Sequence, residues 1–141
     1  MQKEIKWIEN LLNVFIHADT PFHQVDFTVD NLDTVKLLTA IKTHKLLPIV
    51  YHVLKARPIS HTFYESLKRA NKRQLHKRYY QLGQLQRTIT AFSEQGLTIT
   101  PYKGVSLAKT FYNNINLRTS QDIDFAIAQE DIPASLSLIH I

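Results

Sequence analysis

The segment QDIDFAI sets Asp122 and Asp124 two residues apart in a run that otherwise alternates with apolar side chains. In an extended chain, residues i and i+2 share a face about 6.6–6.8 Å apart. Two carboxylates so placed can converge on hard cations, and a two-metal phosphoryl-transfer site holds its ions about 3.5–4 Å apart. Magnesium suits such a pair, because it takes oxygen ligands and completes its shell with phosphates and water. On this reading Ile123, Phe125 and Ile127 anchor a strand in a core, while Asp122, Asp124 and Ala126 face the other way. The same spacing also fits an ordinary solvated strand face, so the pair alone does not decide between them.

Further candidates lie upstream. Lys103 and Arg118 stand near the acidic pair in sequence, and each can contact a triphosphate. Gly104 allows backbone N–H groups to approach phosphate at the start of the following helix, where the dipole favours anions. Ser106 can bond phosphate or serve as a helix-start residue. The run LKRANKRQLHKR carries Lys68, Arg69, Lys72, Arg73, Lys77 and Arg78, most of them on a wide face of one helix, with Lys68, Arg69, Lys72, Arg73 and Lys77 as the candidate contacts. That face suits a nucleic acid or another anionic partner, or it is a solvated face. No aromatic residue is expected among those cations, since Tyr79, Tyr80 and Trp7 read as core residues. The histidines at 17, 23, 44, 52, 61, 76 and 140 lack the spacing of a helical zinc site and read as packing or surface residues.

The elements that must position these groups follow from periodicity. Ile5, Ile8, Leu11, Leu12, Phe15 and Ile16 predict an amphipathic helix over residues 3–17, punctuated by Thr20 and Pro21. Asp30 or Asn31 is expected to cap a second helix, with Leu32, Val35, Leu38 and Ile41 as its apolar stripe. Pro48 fits the first turn of a third, and Pro58 and Ser60 separate it from the next. The longest pattern runs from His61 to Gln95, with Gly83 as an expected bend or close packing point. Gly96 is the stop signal. The period then changes: LTITPY reads as a strand, VSLAKTFY as a short helix with Val105, Leu107, Ala108 and Phe111 apolar, and QDIDFAI as a second strand.

Composition bounds the function classes. The chain has 141 residues, 44% of them hydrophobic and 21% charged, with three glycines and no cysteine. That suits an ordinary globular fold richer in helix than in turns. A disulfide framework and thiolate chemistry are excluded, and a cytoplasmic location is expected. No signal-peptide h-region is present, and no apolar run approaches the roughly 20 residues that cross a bilayer. The net charge of +5 suits an anionic partner.

The order strand, Lys-Gly turn, helix, Arg, acidic pair carries a resemblance. YKGVSLAKTFYNNINLRTSQDIDFAI resembles the core motif of an uncharacterised nucleotidyltransferase family within the polymerase β-like superfamily. Lys103 and Gly104 match its Lys-Gly, Val105 to Leu107 its helix start, Tyr112 its Tyr, Arg118 its Arg, and Asp122–Ile123–Asp124 its acidic triplet. THKLLPIVYHVL is similar to a His-and-Pro helical segment of the same family, so the resemblance covers residues 40–127. In the wider superfamily Gly is followed by Gly or Ser; here Val105 intervenes before Ser106. The superfamily also uses a third carboxylate on a later strand. Six residues of strand from Asp124 to Glu130 would span about 20 Å, and Asp131 has the wrong parity, so that group is expected outside this chain.

The resemblance implies a mostly helical α+β protein. A helical region is expected over 1–95, and the first strand–helix–strand of a truncated nucleotidyltransferase core over 96–135. Residues 136–141, LSLIHI, match the translation of a transposon-end adapter, so a non-native tail without regular structure is expected there, on an amino-terminal fragment. The implied activity is transfer of a nucleoside monophosphate from an NTP to an acceptor hydroxyl. Asp122 and Asp124 would hold two Mg²⁺ ions, and Lys103, Gly104, Ser106 and Arg118 would hold the nucleotide. The fragment itself is expected to be nearly inactive. Two other readings stay open: a helical RNA- or protein-binding module with an incidental Asp-x-Asp, and a degenerate protein that binds nucleotide without turnover.

Overall fold

The computed structural model describes residues 2–17, 27–55 and 59–139. Thr20, Pro21, His23, Pro58 and His140 lie outside them. The architecture is α+β and mostly helical, as the sequence predicts. The elements are α1 (Gln2–Ile16), α2 (Thr34–Thr43), α3 (Leu47–Leu54), α4 (His61–Glu94), β1 (Ile99–Tyr102), α5 (Gly104–Tyr112), β2 (Asp124–Ile127) and α6 (Ile132–Ile139). Short 3-10 turns at Ile115–Leu117 and Gln129–Asp131 flank β2. The chain forms two compact units, residues 1–74 and 75–141. Their boundary falls inside α4, whereas the sequence pattern changes at 95/96.

The first unit is a helical core. Leu11, Leu37, Ile41, Leu47 and Leu67 are fully buried in it, and each contributes about 1.5–3 kcal/mol by leaving water. Trp7 packs edge-on against Phe27 and Phe63, at 5.8 and 6.2 Å between ring centroids. The cap of α2 differs from expectation. Asp33, rather than Asp30 or Asn31, accepts from the backbone N–H groups of Val35 and Lys36 at 3.1 and 3.0 Å. The Asp33 N–H donates in turn to Glu4 Oε1 at 3.2 Å, which ties α1 to the start of α2. The buried face differs from expectation as well. Leu37 and Ile41 carry it, and Val35, expected inside, is exposed. Pro48 lies in the first turn of α3 as predicted.

In the second unit, Leu85, Phe92, Ile99, Ala108 and Leu117 are the buried apolar side chains among the described residues. Helix α4 ends in a Schellman motif: Gly96 N–H donates to Ser93 C=O and Leu97 N–H to Phe92 C=O. Gly96 sits at φ +73, the left-handed region that such a stop requires. Gly83, in contrast, marks no close approach. The helix runs through it, and a Cβ there would meet nothing within 4 Å. Phe111, assigned to the apolar face of α5, is exposed; among the described side chains of that helix Ala108 is buried and Leu107 half-buried, and the side chain of Val105 lies outside the description. Residues 136–139, expected to lack regular structure, complete α6. Ser135 Oγ, buried, donates to the Asp131 carbonyl at 2.6 Å within its first turns.

Candidate functional site

Strands β1 and β2 pair antiparallel, with Ile99 opposite Ile127 and Tyr102 opposite Asp124. This register brings the C-terminal end of β1 beside the N-terminal end of β2. The Lys103–Gly104 turn therefore lies next to the acidic pair, although about twenty residues separate them in sequence.

The turn has an unusual backbone. Lys103 stands at φ +66, ψ −158, and Gly104 at φ +50. The first conformation is almost confined to glycine and costs of order 1–3 kcal/mol in another residue. Several contacts hold it. Lys103 C=O accepts from Ser106 N–H at 3.1 Å and Leu107 N–H at 3.4 Å, the first bonds of α5. Gly104 faces Ser120, where a Cβ would lie 3.0 Å from Ser120 Oγ and 3.6 Å from the Asp122 carbonyl oxygen. Ser120 Oγ donates to that same carbonyl at 2.8 Å. Ser120 thus links the Lys-Gly turn to the segment carrying the first aspartate. Sequence reasoning missed it, and its only signal was a hydroxyl two residues before Asp122.

A small hollow is lined by Lys103, Gly104, Ser106, Asp122 and Asp124, with Leu85, Pro101, Tyr102 and Ile123 completing its wall. Five of the six residues expected from sequence thus meet at one place. Arg118, the sixth, caps the Ile115–Leu117 turn, is exposed, and does not line the hollow. Lys103 Nζ lies 5.2 Å from the Tyr102 ring centroid, a cation–π placement, and forms no ion pair with either aspartate. A hollow beside α1, lined by Gln2, Lys3, Ile5, Lys6 and Glu9, is an open helix face without convergent chemistry.

The geometry of the acidic pair needs one correction. Both aspartates were expected on one strand, but β2 begins at Asp124, and Asp122 lies in the bend before it. Asp122 is exposed and Asp124 half-buried. They still border the same hollow. The bend bonded by Ser120, rather than the pleat, brings Asp122 there. The apolar alternation is likewise looser than expected: Phe125 and Ile127 are half-buried, and Ile123 borders the hollow. Among the described residues no group of three or more His, Asp or Glu side chains could hold a metal ion. Glu130 lies in the Gln129–Asp131 turn, beyond the end of β2.

In the basic run Lys68, Arg69, Lys72, Arg73 and Lys77 are exposed, and Arg78 is not. Arg78 is 5% exposed and is no part of an open face; its guanidinium donates to the Asn116 carbonyl in the second unit. Burial holds its pKa below the usual arginine value. Tyr79 and Tyr80, expected in the core, are 55% and 65% exposed. Trp7 is buried as expected.

A strand, a Lys-Gly turn into a helix, and a returning strand with one aspartate before it and one at its start thus meet at this hollow. A family model described as an uncharacterised nucleotidyltransferase matches residues 30–140, and the chain belongs to that family. No curated protein and no solved structure matches the chain. Among the described residues, no helix is long and apolar enough to cross a membrane.

Proposed function

We propose that the chain carries the nucleotide- and metal-binding face of a Mg²⁺-dependent nucleotidyltransferase, which transfers a nucleoside monophosphate from an NTP to an acceptor hydroxyl. The observation that carries this reading is the convergence of Lys103, Gly104, Ser106, Asp122 and Asp124 on one hollow, within a chain of this family. The donor set fits Mg²⁺: two carboxylates supply hard oxygens, and this ion takes one or two carboxylates with substrate phosphates and water. When bound, the ion would neutralise phosphate charge and help polarise the reacting phosphoryl group.

The chain's own groups would do the rest. Asp122 and Asp124 hold the ion. The start of α5 presents backbone N–H groups to phosphate, and Gly104 keeps that approach free of a side chain. The Lys103 ammonium, now over Tyr102, is close enough in sequence and space to swing toward a bound triphosphate. Arg118 would add charge only after moving from its present exposed position.

The test is calorimetric titration of MgATP and MgGTP into the wild-type chain and into Asp122→Asn/Asp124→Asn. Magnesium-dependent nucleotide binding should be present in the first and absent in the second, with unchanged circular dichroism. Equal affinity in both proteins would remove the proposal.

A further inference from the structure

The hollow beside the acidic pair is too small to enclose a whole nucleotide. It measures about 220 Å³, open solvent at its edge included, whereas pockets that enclose a ligand of that size run from about 300 to 1,000 Å³. Phosphates and their metal would fill it, so the nucleoside must lie on the rim. Of the nine residues lining the hollow, three are exposed: Tyr102, Lys103 and Asp122. Two of these are charged and belong to the phosphate and metal end. The third, Tyr102, is 60% exposed and is the only aromatic ring in the lining.

The sheet register places that ring beside the metal end. Tyr102 stands directly opposite Asp124 in the β1–β2 pair. Opposite residues of an antiparallel pair project from the same face, with Cβ atoms about 4.5–5.5 Å apart. An ion held by Asp124 would thus bring the phosphates of a nucleotide, with its ribose and base beyond them, alongside the ring. The ring already receives a cation, since Lys103 Nζ lies 5.2 Å from its centroid. At an exposed site that contact is weak, and a phosphate oxygen is a stronger partner for the ammonium. A bound triphosphate therefore draws Lys103 off the ring and opens that face to a base.

We propose that the Tyr102 ring is the platform on which the nucleobase stacks, so that the site takes nucleoside triphosphates as a class rather than one base. The inference rests on the nucleotidyl-transfer reading of the hollow and deepens it. Every base has a π-face, so stacking on a ring tolerates all of them. The charged and hydroxyl side chains of the lining, Lys103, Ser106, Asp122 and Asp124, are taken by phosphate and metal on that reading, which leaves none of them to read a base edge. Lys103 then has two positions, over the empty ring and on the bound phosphates.

The experiment is calorimetric titration of MgATP, MgUTP and magnesium tripolyphosphate into the full chain and into Tyr102→Ala and Tyr102→Phe. Tripolyphosphate carries the phosphates without a base. Tyr102→Ala should weaken both nucleotides about tenfold or more and leave tripolyphosphate at least as tight, because Lys103 is then released. Tyr102→Phe keeps the ring and should match wild type. Wild-type affinities for MgATP and MgUTP should agree within about tenfold. The adenine protons of MgATP should also shift upfield on the wild-type chain, since a base stacked on a ring lies in its shielding region. The proposal is overturned if Tyr102→Ala binds nucleotides like wild type, or weakens tripolyphosphate as much as nucleotides. It also falls if Tyr102→Phe loses as much as Tyr102→Ala, if one base is preferred more strongly than stated, or if the adenine protons do not shift upfield. In each of these cases, magnesium-dependent binding by wild type still upholds the nucleotidyl-transfer reading. Wild type that binds neither nucleotide nor tripolyphosphate removes that reading and this inference together.

Discussion

Replacing Gly104 by alanine tests the geometry of the candidate site most sharply, because the structure fixes the sign of the effect. At a backbone conformation that alanine tolerates, Gly→Ala stabilises by about 0.4–1 kcal/mol, chiefly by restricting the unfolded chain. Gly104 is at φ +50, where a Cβ costs about 1–2 kcal/mol. The new Cβ would also stand 3.0 Å from Ser120 Oγ. That hydroxyl is not free to swing away, since it donates to the Asp122 carbonyl at 2.8 Å, a bond worth about 1 kcal/mol. The two costs together predict a destabilisation of about 2–3 kcal/mol. Ser120→Ala in the same background removes the contact but leaves the dihedral cost. The double variant should therefore be less destabilised than the two single changes added together, by about 0.5–1 kcal/mol. Trp7, the sole tryptophan, lies in the first unit, so its fluorescence would report the wrong unit. Amide hydrogen exchange at the β1–β2 pairs is the suitable measurement. A neutral or stabilising Gly104→Ala would refute both the positive φ and the contact, and with them the account of how the turn meets the acidic pair.

Other outcomes follow from the first unit. Leu11→Ala removes a fully buried side chain and should cost about 2–5 kcal/mol, read from Trp7 fluorescence in a urea titration. Burial first, and the Lys55 charge second, hold the His52 pKa below its ordinary value. The folded state thus disfavours protonated His52. Stability should be full above the unfolded value near 6.5, and should fall with pH through that value until the lower folded pKa is passed. Comparing denaturation midpoints at pH 7.5 and 5.5 checks this, and His52→Gln should flatten the difference. Asp33→Ala removes the cap of α2 and should lower the thermal midpoint of the first unit by a few degrees. Hydrogen bonds from the Lys36 backbone and side chain depress the Asp33 pKa. The contribution of Asp33 should hold above the unfolded carboxylate value, vanish as pH falls through the folded one, and be absent from the variant.

What the sequence disclosed depended on whether the signal was local. Helix existence follows from apolar spacing within a few turns, so α1, α3 and α4 lie close to where their periodicity places them. Gly96 was legible for the same reason, since a glycine after the last apolar position of a helix has one common use. The cap of α2 was misplaced because Asp30, Asn31 and Asp33 are all competent residues. The Glu4 contact that favours Asp33 comes from 29 residues away. Tyr79 and Tyr80 were assigned inward because aromatic residues are assumed to seek the core. Nothing local says that the inward face of α4 is taken by Arg78 and Gln81.

The acidic pair shows the same division more finely. Its residue types and spacing marked it, but its mode of presentation was not visible. A two-residue spacing implies a continuous pleat only if the strand includes both members, and β2 includes one. Asp122 instead sits in a bend held by the Ser120 hydrogen bond and lying beside Gly104. Such a bend can be re-aimed by changing one hydroxyl, which a hydrogen-bonded strand would resist. The strained Lys103 dihedral belongs to the same design. It persists because the β1–β2 pairing fixes the residue before it and the first bonds of α5 fix those after it. A lysine rather than a glycine at that position therefore keeps a cation in the lining of the hollow, at a backbone cost the surrounding pairing can carry.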